Sequence, residues 1–127
     1  MFIQDYIMRL IHEMVRALLK TLFNIDTETL TSEMVEDSQY KKIYEDLTMM
    51  IDDGKINEAE NILYTISDEN DRERLKIILM FYSYLNDKSD EFLAEHNFSR
   101  EEMAQDLQAL LDKYGLGELS KTLLMDQ

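Results

Sequence analysis

The sequence predicts an all-α protein of six or seven helices in antiparallel hairpins, closing either as a tetratricopeptide-like pair or as a generic helical bundle. Three observations predict it. No Pro occurs and only three Gly do; apolar residues recur at spacings of three and four; and no window holds the alternation of a half-buried strand. Gly54, Gly115 and Gly117 stand where helical periodicity stops, where Gly commonly closes a helix C-terminus. A chain of 127 residues fits one helical domain, residues 1–127. It divides into a long N-terminal amphipathic helix (1–24), helical hairpins (38–67 and 72–96) and C-terminal helices (99–124).

The first helix is read over residues 2–24 from apolar doublets running from Phe2 and Ile3 to Leu22 and Phe23. Their repeat is four, so the stripe advances about 40° per repeat and winds through about 200° in all. One flat partner surface cannot cover such a stripe. Either the rest of the chain wraps the helix, or part of the stripe faces another subunit.

A polar stretch follows. The second helix spans about 38–53 on Tyr40, Ile43, Tyr44, Leu47, Met50 and Ile51, and Gly54 ends it. The third, about 57–67, turns back at once with Ala59, Ile62, Leu63 and Ile66 on one face. The fourth, about 72–85, is apolar on nearly every side, which places it centrally. A short fifth helix, about 90–95, carries Phe92 and Leu93. Ser99 and Glu102 then form a capping box, with Phe98 and Met103 at the spacing of a hydrophobic staple. The sixth helix buries Met103, Leu107, Leu110, Leu111 and Tyr114 and stops at Gly115, with Leu116 placed for a Schellman contact. Leu116 to Leu124 forms a last short helix or docked tail.

The segment Tyr40 to Asp71 resembles one tetratricopeptide-type hairpin, with Gly54 in the turn, the run Asn57, Glu58, Ala59, and Leu63 four residues after the small Ala59. Met50, Leu47 and Asp71 depart from that pattern. Across most of the chain, FIQDYIMRLIHEMVRALLKTLFNID and YSYLNDKSDEFLAEHNFSREEMAQDLQALLDKYGLG resemble a family of small acidic helical proteins from Gram-positive anaerobic bacteria. That family has no assigned function. The resemblance implies a bacterial cytoplasmic origin and carries no catalytic or binding residue onto these positions.

Composition excludes several function classes. Thirteen Lys plus Arg face 27 Asp plus Glu, a net charge of −14, which argues against direct nucleic-acid binding. With no Cys there is neither a disulfide framework nor a thiolate nucleophile. Charged residues interrupt the N-terminus every few positions, so it reads neither as a leader nor as a membrane span, and a cytoplasmic location is expected. His12 and His96 sit in no nucleophilic motif. Arg9 and Leu93 stand where a Glu three residues before His would be needed for a helical metal site. Calcium-loop spacing fails at Gly54 and again from Asp68, and no Gly-rich phosphate loop exists. Asp52 with Asp53, and Glu101 with Glu102, fall at helix ends as ordinary solvated acids. No cofactor, metal or catalytic residue is expected, and the protein is read as a non-enzyme.

Residues 1–24 carry three basic and two acidic side chains, so nearly all of the negative charge belongs to the remainder. Three cations are sparse for a helix lying on anionic membrane, and the acidic body would be repelled, so surface attachment is disfavoured. The acidic body is either a face for a basic partner or a solubility layer. The expected function is protein–protein interaction or scaffolding, with another protein or as a homodimer through the first or fourth helix. The candidate surface is Ile7, Ile11, Leu18, Tyr44, Ile51 and Tyr84. The alternative is a small-molecule sensor or enzyme with a pocket among the helices.

Overall fold

The computed structural model describes residues 2–67 and 71–125. Among them are seven α-helices and no strand: α1 (Phe2–Phe23), α2 (Ser38–Asp52), α3 (Ile56–Ile66), α4 (Arg72–Asn86), α5 (Asp90–Glu95), α6 (Arg100–Lys113) and α7 (Gly117–Met125). A 3-10 turn, Ser32–Met34, interrupts the link from α1 to α2. No described helix is long and apolar enough to cross a membrane.

Helix α4 is central, as its all-round apolar sequence requires, and packs against α1, α2 and α6. Every residue from Leu75 to Tyr82 is buried, Lys76 included. Lys76 tolerates this because its Nζ donates to Met34 O and to Glu73 Oε1, at 3.1 and 3.0 Å. The same contact ties the 3-10 turn to the core, and Val35 beside it is buried. The wound stripe of α1 is wrapped by the chain itself: α4, α6 and α7 each pack against α1, and Ile11, Met14, Val15, Leu18 and Leu19 are all buried.

Polar ties fix the helix ends. Tyr40 Oη donates to Asp71 and accepts from Arg74 Nε, whose guanidinium also donates to Ile66 O, joining α2, α3 and α4. At the other end of α2, Asp52 accepts from Tyr84 Oη and Lys88 Nζ. Burial works against the Asp52 charge, but these hydrogen bonds and the Lys88 charge outweigh it and hold the carboxyl below its ordinary range. Arg100, at the start of α6, is buried to 1% exposure and donates to Asn86 O, Asn86 Oδ1, Lys88 O and Asp90 Oδ1. Asn86 Nδ2 in turn donates to Met8 O, so this corner fastens α1, α4, α5 and α6 together.

Four helices end in left-handed residues, two of them glycines. Gly54 (φ +82°) and Gly115 (φ +74°) close α2 and α6 with the paired bonds of a Schellman motif. Asn97 (φ +56°) closes α5 in the same way, whereas Asn24 (φ +57°) ends α1 with its own N–H on Lys20 O and the Ile25 N–H on Leu19 O. Gly117 departs from its expected terminating role, since it is the first residue of α7. A Cβ there would lie 1.9 Å from Asp112 Oδ1, so this Gly is set by a close approach of α7 to α6.

At Gly54 both constraints act at once, because an added Cβ would fall 2.2 Å from the His96 ring. We expect Gly54→Ala to destabilise the fold by about 2 kcal/mol. Thermal unfolding of Gly54→Ala beside Gly54→Ala/His96→Ala tests this, since emptying the ring's space should restore part of the loss.

Candidate functional site

A mainly apolar groove of about 260 Å³ lies between α1 and α6. Ile7, Leu10, Ile11 and Met14 line one wall, and Glu101, Ala104, Gln105 and Gln108 the other. Both rows have the spacing i, i+3, i+4, i+7, so each is one continuous helix face. Ile11 and Met14 form the buried floor; Ile7, Leu10, Ala104 and Gln108 are half-buried; Glu101 and Gln105 stand at the rim. Gln4 Nε2 donates to Glu101 Oε1 at 2.9 Å and ties the two walls together at one end. Next to Leu10 the surface continues over Arg9 and Glu13 to Tyr6, which is 57% exposed.

Of the six residues expected to form an interaction surface, the groove brings together Ile7 and Ile11, the latter as floor. Leu18, Tyr44 and Ile51 are core residues, so their reading as surface is corrected along with that of Ile11. Helical spacing identifies an apolar face, and here α4 and the α2/α3 hairpin cover those faces. Burial also pushes the Tyr44 hydroxyl up, to a pKa of about 12, with Tyr84 and Asp87 adding to it. Tyr84 stays accessible at a different edge, where Lys88 lies 4.9 Å over its ring. Leu10, Met14 and Ala104 went unrecognised as a site, although the first two belong to the doublet pattern of α1.

A second feature is an acid pair with one member, Glu60, buried and the other, Asp106, half-buried. Glu60 of α3 is 5% exposed and accepts a 2.8 Å hydrogen bond from Tyr82 Oη of α4. The Asp106 carboxyl of α6 lies within its reach, and a hydrogen bond between the two would favour the protonated form. Two carboxyl groups can share such a bond only when one holds a proton. Burial, the Asp106 bond and the charges of Asp106 and Glu102 push Glu60 up, to a pKa of about 8, against the opposing pull of Tyr82. Burial and the Glu60 charge likewise raise the Tyr82 hydroxyl. Each acid falls on the apolar face of its helix: Glu60 among Ile56, Ala59 and Leu63, and Asp106 beside Met103, Leu107 and Leu110. That placement was the sequence signal for the pair.

Neither histidine joins these acids. His12 Nε2 lies 4.0 Å from the exposed Glu28. His96 caps α5, with Nδ1 2.8 Å from Phe92 O and its ring centroid 4.4 Å from that of Phe92, tilted by 44°. Among the described residues no group of three His, Cys, Asp or Glu could hold a metal ion.

No curated protein and no solved structure matches the chain. A family model does match, over residues 1–115, a span that contains both walls of the groove and both acids of the Glu60–Asp106 pair and leaves α7 outside it. The chain therefore belongs to DUF6483, a family of unknown function.

Proposed function

We propose that this protein is a non-catalytic interaction module that binds another protein through the α1/α6 groove. The observation that carries this reading is the groove itself: two helix faces of matching spacing, apolar along the floor, open to solvent and bordered by the exposed Tyr6. Aromatic and aliphatic anchors seated in such a depression supply most of the energy of a protein contact. The middle of the α1 stripe, Ile11 to Leu19, is spent on the core, and a short stretch around Tyr6, Ile7 and Leu10 stays open, which supports a protein partner over a membrane surface. The tetratricopeptide-like reading of α2 and α3 belongs to the same scaffold proposal, supported by Ala59 and Leu63, both wholly buried at their hairpin. A cytoplasmic location belongs to the same proposal, and a chain without cysteine is compatible with a reducing compartment.

Site-specific photocrosslinking in the native host tests the reading. A photoreactive side chain at Ala104 should yield a recurrent protein adduct, and the same group at the exposed Glu33, away from the groove, should not. Equal labelling at both positions, or none at Ala104, contradicts it.

A further inference from the structure

We infer that the α1/α6 groove accepts a cationic amphipathic helix from a partner protein, its apolar stripe on Leu10, Met14 and Ala104 and its Lys or Arg flank toward Glu101. This rests on the groove being the binding surface. A row spaced i to i+7 covers about 10 Å of helix, two turns, and two such rows side by side form a furrow that the ridge of a third helix fills. The protein already packs a helix on this pair, since α7 contacts both α1 and α6. Gln108 joins the two regions: it lines the groove, and its Nε2 donates to Ser120 Oγ of α7 at 2.9 Å.

Charge selects among the occupants. Glu101 is the one charged residue among the described lining residues, Arg9 and Glu13 beside Leu10 offset each other, and the chain as a whole carries −14. A second copy would bring −14 against −14, and an anionic lipid surface would be repelled in the same way. A helix flanked by Lys or Arg is drawn in.

The test uses a fluorescein-labelled helical peptide with Leu at i, i+3, i+4 and i+7 and Lys elsewhere, and a counterpart with Glu for Lys. Anisotropy at about 0.15 M salt should show the Lys peptide binding wild type at least about tenfold more tightly than the Glu peptide. Ala104→Tyr, which fills the groove, and Leu10→Gln should each weaken the Lys peptide about tenfold while circular dichroism stays unchanged. Glu101→Lys should weaken the Lys peptide and strengthen the Glu peptide. If both peptides bind equally and both lose affinity in Ala104→Tyr, the cationic preference is overturned while the groove reading stands. If the Lys peptide ignores both groove variants, its binding is diffuse and both readings fall. If light scattering shows a dimer that Ala104→Tyr dissociates, the groove belongs to a second copy and the inference is overturned.

Discussion

Glu60→Gln is expected to raise the melting temperature at pH 8.5 by about 6 °C or more, to raise it by less than half as much at pH 5.5, and to leave it nearly unchanged only near pH 4.5 and below. The Glu60 carboxyl is pushed up to about 8 in the folded protein, from an ordinary value of 4.5. Between those values the folded state holds a proton that the unfolded chain has released. Its contribution to stability is complete below about pH 4.5 and is lost as pH rises through about 8. Each pKa unit corresponds to about 1.4 kcal/mol, and water entry caps the cost, so roughly 2–4 kcal/mol is at stake. Gln reproduces the protonated acid: its carbonyl accepts from Tyr82 Oη and its amide donates to Asp106. Wild type should therefore lose stability from pH 5.5 to 8.5, and the variant should stay flat. Asp52, held low, contributes in the opposite sense and only in acid, outside this window. Thermal melts of both proteins across the range decide it, and parallel curves would refute the protonated pair.

Arg100→Met is expected to cost roughly 3–5 kcal/mol, a large share of the stability of an ordinary domain. The guanidinium is 1% exposed and spends its donors on Asn86 O, Asn86 Oδ1, Lys88 O and Asp90 Oδ1. Met fills similar volume but leaves two carbonyls near the end of α4 without these donors. Arg100→Lys should recover less than half of the loss, because one ammonium cannot span three residues in a fork. Urea unfolding of the three proteins measures this. A Lys variant as stable as wild type would show that charge alone, not the fork, holds the corner.

Local physics made the helices legible. Periodicity, the Ser99 cap and the glycine stops depend on residues a few positions apart, and each predicted helix lies within a residue or two of its observed bounds. Asn24 and Asn97 escaped notice as C-caps because Asn is only an occasional left-handed residue. Gly117 was misread because what fixes it is Asp112, across a turn. The surface was harder to read, since an apolar stripe says what must be covered and not by what: Leu18, Tyr44 and Ile51 share the pattern of Ile7 and Leu10, and tertiary packing alone separates core from groove. Arg100 was hidden for the same reason. A cation in the first turn of α6 runs against the helix dipole, and only the corner of α4 and α5 above it explains the choice.

The groove is tested most directly by following backbone and methyl resonances of the full chain as the Lys-flanked peptide is added. The account predicts that shifts concentrate at Ile7, Leu10, Ile11, Met14, Glu101, Ala104, Gln105 and Gln108. Shifts spread over the acidic surfaces of α2 and α3, with the groove residues unmoved, would contradict it.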